Sequence, residues 1–280
     1  MSITTGPGTG TTGTGPGTTP AADGSAGTTA LGRMRALARA ELVLLGRTKG
    51  TLVAALFVPL VLPFSVYSTI DRVDLEEQGL SVGSMLLPSV IGFSLLFAVY
   101  SSMVSVYAAR REDLVFKRLR TGELRDAEIL AGAALPAVAI GLVQSLVLVT
   151  ACALLLDLDA PSAPHLAVLG LLLGLVMWPA LAAVTAIFSR SVEGAQVAAM
   201  PLMLASMIGS GTFVPLEVMP DRLASVLELL PLTPIITLIR GGWTGDLPAS
   251  EALGALATAM AWTVVAVFAV KRWFRWEPRR

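Results

Sequence analysis

The 280-residue chain is poor in charged residues, cysteine and histidine. Asp, Glu, Lys and Arg make up 14% of it, whereas a typical soluble domain carries about 25%. The one cysteine, Cys152, has no second cysteine for an intrachain disulfide, and the one histidine, His165, excludes a His-Glu-x-x-His metal site. The sequence also lacks Gly-x-x-x-x-Gly-Lys-Ser/Thr, so it predicts no phosphate-binding loop for ATP.

What the chain has instead is apolar sequence in long runs. Hydrophobic residues make up 54% of the chain, and mean hydropathy is +0.74. Six stretches approach or exceed the roughly 20 residues that a helix needs to cross a bilayer. They are Thr51–Ile70, Met85–Tyr107, Ile129–Leu156, Leu166–Phe188, Val197–Val214 and Ala252–Val270. We therefore predict an all-α integral membrane protein with six transmembrane helices.

The basic residues orient these six spans. Of the 20 Lys and Arg residues, all but Arg72, Arg222 and Arg240 fall in the two termini and the loops 108–128 and 189–196, which alternation places on one side. By the positive-inside rule this side is predicted to be cytoplasmic. The topology accounts for the juxtamembrane bases, so no basic patch is left to predict a nucleic-acid partner.

The six predicted spans contain no Asp, Glu, Lys, Arg or His. Intramembrane ionisable residues usually mark proton relays, ion pathways and catalytic groups, so their absence argues against a membrane protease and an ion-coupled pump. Outside the spans, Asp157, Asp159 and His165 allow a metal site in principle, although their clustering is poor. Apolar and hydroxyl-lined spans suit lipophilic drugs, lipids or glycans as substrates.

Two segments precede the first span. Residues 1–30 are rich in Gly, Thr and Pro and are predicted to be a disordered cytoplasmic tail. In residues 31–50, Leu31, Met34, Ala38, Leu42 and Leu45 share one arc of a helical wheel, which predicts an amphipathic interfacial helix. This helix is either a headgroup anchor alone or an elbow that also contacts a cytoplasmic partner.

The loop 108–128 is predicted to contain a short helix from Glu112 to Arg120, broken at Thr121-Gly122. Phe116 lies in the middle of this charged segment, away from lipid. We expect either a neighbouring loop or another protein to cover it.

The region 213–251 contains apolar runs that are too short to span and are interrupted by prolines. Short helices that enter the membrane and turn back would satisfy their backbone against the protein interior, so we predict a re-entrant hairpin before the last span. The preceding Gly209-Ser210-Gly211 run allows close helix approach, either to a second subunit or within the chain.

Two motifs give the chain a family resemblance over about residues 31–280. One is Gly211-Thr-Phe-Val-Pro-Leu-Glu-Val-Met-Pro220 with Pro231-Leu-Thr-Pro234 and Arg240, and the other is Arg110-Arg-Glu112 with Lys117-Arg-Leu-Arg120 and Ile129-Leu-Ala-Gly132. With six spans and an amphipathic start, the chain resembles the membrane (permease) subunit of type-2 ABC exporters, which include antibiotic-export systems.

The resemblance implies a division of labour between subunits. The 108–128 loop would dock on a separate ATPase through Arg110, Arg111, Glu112, Asp113, Phe116, Lys117 and Arg118. The re-entrant motif would comprise Gly211, Phe213, Pro215, Met219, Pro220, Pro231 and Arg240. Implied partners are two ATPase subunits, a second permease copy or relative, and membrane lipid, with no cofactor in this chain and with ATP and magnesium on the ATPase.

The implied location is the plasma membrane of a prokaryotic cell, with both termini cytoplasmic. The resemblance further implies that the chain is not itself an enzyme and exports a drug-like or lipophilic compound. Two other functions stay open: a membrane scaffold or channel that needs no ATPase, and a secondary transporter.

Overall fold

The computed structural model describes residues 82–121, 125–155, 158–210 and 220–274, together with Gly32. These residues form α1 (Val82–Ser94), a π-helical segment (Leu95–Ser101), α2 (Ser102–Glu112), α3 (Val115–Arg120), α4 (Asp126–Leu155), α5 (Pro164–Ile187), α6 (Val192–Gly209), α7 (Asp221–Glu228), α8 (Leu232–Thr244) and α9 (Ala249–Trp273). The predicted all-α membrane fold is confirmed. The predicted tail, most of the interfacial helix and the first span lie outside the described residues.

Within the described residues, five stretches are long and apolar enough to cross a membrane, and they match the predicted second to sixth spans. They are Leu86–Glu112, Asp126–Leu154, Pro164–Ile187, Val192–Gly209 and Ala249–Trp273. The fifth predicted span differs most, since α6 begins at Val192 rather than at residue 197. The Ser191 hydroxyl accepts a hydrogen bond from the Gly194 amide at 3.0 Å. This N-cap starts the helix early, because it satisfies a free amide of the first turn.

Contacts between helix ends define two sides of the bundle. Tyr107 in α2 donates its hydroxyl to the Leu130 carbonyl near the start of α4 at 3.1 Å. Phe116 in α3 packs against Phe274, just after the end of α9, with ring centroids 6.1 Å apart. The end of α2, α3, the start of α4 and the end of α9 therefore lie together. We call this the basic side, after the bases predicted for it.

The start of α5 and the end of α8 meet on the opposite side. The Ala163 amide donates to the Gly242 carbonyl at 2.9 Å, and the Ser162 amide donates to the Trp243 carbonyl at 3.3 Å. The axes of α7 and α8 differ by 88°, so the pair does not form one straight span. Because α9 starts next to the end of α8 and crosses to the basic side, the chain leaves the pair on the opposite side. The bent pair agrees with a re-entrant hairpin and also with a broken span. The entry into α7 lies outside the described residues, so the re-entrant hairpin stays a prediction.

The turn between α7 and α8 is hydrogen-bonded to the bundle. The Trp262 indole in α9 donates to the Leu229 carbonyl at 2.7 Å, and the Thr233 hydroxyl donates to the Leu227 carbonyl at 2.8 Å. Both carbonyls belong to the end of α7, where a helix lacks its full set of amide partners, and the Leu227 carbonyl also accepts from the Leu230 amide at 3.1 Å. A non-helical backbone is tolerated at membrane depth when protein groups replace water in this way.

Glycines let α8 lie close against α5. A Cβ built on Gly242 would be 2.7 Å from Ala167 Cβ, and one built on Gly170 would be 2.9 Å from Leu238 Cβ. Deeper in the bundle, a Cβ on Gly174 would be 3.4 Å from Ile235 Cγ2. Gly174 follows the start of α5 by ten residues, or about 15 Å of helix. The N-terminal end of α8 therefore lies about 15 Å along α5 from its start, which is about half the thickness of a 30 Å hydrocarbon layer.

Candidate functional site

The segment Asp113–Thr121, which we call the α3 segment, connects the second and third predicted spans on the basic side. The short helix predicted from Glu112 to Arg120 is present from Val115 to Arg120. It is separated from α2 because Leu114 adopts a left-handed conformation, with φ 57° and ψ 20°. Leu114 is the one non-glycine residue with positive φ in the described ranges. Such a conformation costs a branched residue about 1–2 kcal/mol.

Phe116 anchors the α3 segment to the bundle. Its side chain is fully buried, with its ring centroid 6.1 Å from those of both Tyr107 and Phe274. We expected either a neighbouring loop or another protein to cover Phe116. In the structure, other parts of the same chain cover it. Phe116 therefore faces the interior, and a docking surface on α3 would consist of other residues.

Arg111 ties the end of α2 to the end of α5. Arg111 is 2% exposed, and its guanidinium donates to the Ala186 carbonyl at 2.6 Å and to the Ser189 carbonyl at 2.5 Å. It also lies 3.3 Å from the Ser189 hydroxyl. The cation thus caps the negative end of the α5 dipole and pairs with carbonyls at the end of the helix.

The exposed face of the α3 segment carries charge of both signs and one apolar residue. Glu112 and Asp113 are exposed where α2 ends, Lys117 and Arg118 are exposed on α3, and Leu114 is 37% exposed between them. Of the other coupling residues predicted from the sequence, Arg110 is half-buried, while Arg111 and Phe116 are buried.

Sequence reasoning did not single out Leu114, because left-handed positions usually carry Gly, Asn or Asp. At the other end of α3, Arg120 Nε lies 3.1 Å from the Asp126 carboxylate at the start of α4.

The predicted re-entrant motif is described only in part. Gly211, Phe213, Pro215 and Met219 lie outside the described residues, so their roles stay predictions. The other members hold distinct places: Pro220 precedes α7, Pro231 precedes α8 and is buried, and Arg240 is half-buried within α8.

Two other candidate sites were predicted, a close helix approach at the Gly209-Ser210-Gly211 run and a possible metal site. A Cβ built on Gly209 would lie 2.8 Å from Leu227 Cδ2 in α7, so the predicted close approach at Gly209 occurs within the chain. Among the described residues, no three His, Cys, Asp or Glu side chains cluster to hold a metal ion. Asp157, one of the three residues considered for a metal site, lies outside the described residues.

Comparison with known proteins agrees with this architecture. A family model described as "ABC2_membrane: ABC-2 type transporter" matches residues 33–243. This match extends from the predicted interfacial helix to the end of α8. A search of curated proteins found no match.

Proposed function

The chain belongs to the ABC-2 type transporter membrane family, and on that premise we propose that it is the permease of an ATP-driven exporter whose ATPase docks on the α3 segment. As an ABC transporter permease, the chain is a membrane subunit. We further propose that ATP and magnesium bind on the separate ATPase and that the compound moves outward through the helices described above.

One observation carries the docking proposal: Leu114 is both exposed and held in a left-handed conformation. Each feature is unfavourable for the isolated chain, and strained backbone tends to occur at functional sites. Both features are accounted for if Leu114 inserts into a partner surface. The neighbouring Lys117 and Arg118 would then contribute charge complementarity and orient the partner.

The anchoring of the α3 segment supports its use in transmitting movement. Phe116 joins α3 to the end of α9, and Arg111 joins the adjoining end of α2 to α5. A displacement of α3 by a partner would therefore move these helices with it, because packed interiors transmit strain.

The full assembly that we propose contains two permeases, identical or related, and two ATPase subunits, in the plasma membrane of a prokaryotic cell with both permease termini cytoplasmic. We propose a drug-like or lipophilic substrate, because the described spans have no charged interior residue apart from Arg111 at the end of α2. No nucleic acid takes part.

Co-purification tests the docking surface. The full chain would be tagged, solubilised with its membrane partners and examined for an ATPase with a phosphate-binding loop. Leu114→Ser and Arg118→Glu should each reduce ATPase recovery at least fivefold at an equal permease level. Arg190→Glu is the matched control, because Arg190 is an exposed base in the next loop on the basic side. If both α3 variants recover the ATPase as well as the control does, docking on α3 is refuted.

Efflux of lipophilic dyes from cells tests the transport direction, and vesicles that contain the purified chain alone test the alternatives. ATP-dependent efflux with the co-purified ATPase is expected. Solute movement by the chain alone would favour a channel, and transport that collapses with an ion gradient despite ATP would favour a secondary transporter.

A further inference from the structure

The second predicted span is interrupted in the middle by the π-helical segment Leu95–Ser101. A π-helix pairs backbone groups five residues apart instead of four, and such segments are rare and often functional. At its junction with an α-helix the pairing changes, and some carbonyls lose their amide partners. Within a membrane these carbonyls need protein donors.

Two side chains donate to backbone carbonyls at the α2 end of the segment. The Ser102 hydroxyl lies 2.5 Å from the Ala98 carbonyl and 3.1 Å from the Val99 carbonyl. The Gln196 amide, in α6, donates to the Ser101 carbonyl at 3.0 Å. The first donor is local, whereas the second comes from another span.

Gln196 makes two more contacts with the same stretch of the second span. Its Oε1 accepts from the Ser101 hydroxyl at 3.3 Å, and its Nε2 contacts the Ser105 hydroxyl. Gln196 is half-buried near the start of α6, next to Val197, which is 63% exposed. A polar amide in apolar surroundings is costly unless it is hydrogen-bonded, and the amide of Gln196 bonds on both its oxygen and its nitrogen to one helix turn.

The other face of the π-helical segment is attached to α5. The Tyr100 hydroxyl is 2.9 Å from the Thr185 hydroxyl, and its ring centroid is 5.3 Å from that of Trp178. The π-helical segment is therefore held between two neighbouring spans. Its own Tyr100 contacts α5, and Gln196 of α6 contacts its other face.

We infer that Gln196 is a positioning residue for transport, which holds the second span in its π-helical register and makes α2 and α6 move together. A shift of the π-helical segment along the helix changes the register of each residue that it passes by one position. This amounts to a rotation of about 100° at 3.6 residues per turn. While the contacts of Gln196 hold, they would resist a displacement of the α3 segment. Once they break, the displacement would shift the π-helical segment along the helix. The link to α3 displacement rests on the proposed function, whereas the control of register does not.

Hydrogen exchange of the full chain in lipid nanodiscs tests the register directly. Gln196→Met keeps the side-chain length but removes every donor and acceptor. Exchange of the amides in residues 95–105 should rise about tenfold, because this stretch loses all three contacts with Gln196, while α9 stays unchanged. Ser105→Ala, which removes one of the contacts, should give a rise of about twofold to threefold. Val197→Leu is the matched control on the lipid-facing side of α6 and should have no effect.

Two outcomes of this exchange experiment would overturn the inference. One is wild-type exchange in residues 95–105 of Gln196→Met, and the other is an equal rise in α9, which would indicate general loosening rather than a local hold on register.

The transport role has its own measurement, made on the complex with the co-purified ATPase. Gln196→Met should keep ATPase binding and ATP hydrolysis but lower efflux at least fivefold. Wild-type efflux in this variant would overturn the positioning role. If no ATPase binds even to the wild-type chain, the proposed function fails, and the exchange result still decides whether Gln196 holds the register.

Discussion

Replacing Arg111 by methionine is expected to destabilise the bundle by about 2 kcal/mol. Methionine has a similar length but cannot donate to the Ala186 and Ser189 carbonyls. Hydrogen bonds that involve a charged group contribute about 1.5–3 kcal/mol each, so two of them give about 3–6 kcal/mol in total. Part of this is offset, because the buried guanidinium gave up its hydration, which costs several kcal/mol. The loss that remains is a fraction of the gross value.

The hydrogen bonds of Arg111 are buried, so the loss of stability on removing them should be measurable. Ser189 is buried, so water does not readily replace the missing donor. The Ala186 carbonyl retains the Ser189 hydroxyl at 3.1 Å, whereas no other donor to the Ser189 carbonyl is seen among the described residues. We therefore expect most of the loss to arise at Ser189.

Reversible unfolding in mixed micelles, followed by tryptophan fluorescence, measures this change. A loss of about 2 kcal/mol lowers the folded-to-unfolded ratio about 30-fold. Arg118→Met is the matched control, because Arg118 is exposed on α3 and should change stability by less than about 0.5 kcal/mol. Equal stability of the two variants would refute the role of Arg111 as a link between α2 and α5.

Two further predictions concern the re-entrant hairpin. Gly242→Ala should lower the stability by about 1–3 kcal/mol, because its methyl group would meet the backbone of Ala167 with no rotamer to relieve the overlap. Gly254→Ala, where no atom lies within 4 Å of the added methyl group, should be neutral or stabilise the helix by up to about 1 kcal/mol; the same unfolding assay compares the two, and equal effects would contradict the close packing. Trp262→Phe should raise hydrogen exchange in residues 226–232 about fivefold, because the Leu229 carbonyl loses its donor, and unchanged exchange there would show that this bond does not hold the hairpin turn.

Hydropathy was sufficient to predict the long apolar helices among the described residues. The predicted second to sixth spans were found, because stretches such as 166–188 carry the strongest signal that a sequence can give. Helix ends were less accurate. Sequence reasoning placed the start of α6 at residue 197, since it followed apolar residues and overlooked the cap that Ser191 provides.

The details of the candidate site depend on contacts that no local pattern reveals. The left-handed conformation of Leu114 has no signal in a sequence that carries neither Gly nor Asn there. The burial of Arg111 was equally hidden, because a base beside a predicted span is expected to face headgroups rather than helix ends. Phe116 was recognised as needing cover, but only the fold shows that Phe274, more than 150 residues away, supplies part of it.

These contacts explain how a segment outside the bilayer can act on helices inside it. The α2 helix is held near its π-helical end by Gln196 and at its other end by Arg111. It therefore cannot rotate or slide without breaking polar contacts to α5 or α6, and such contacts are either made or lost rather than gradually stretched. A push on α3 is thus expected to move these helices together until one end of α2 releases. Efflux measurements test whether α2 transmits movement as one unit. In that case Arg111→Met and Gln196→Met should each reduce efflux. The efflux of the double variant should be no lower than that of the single variant with the lower efflux.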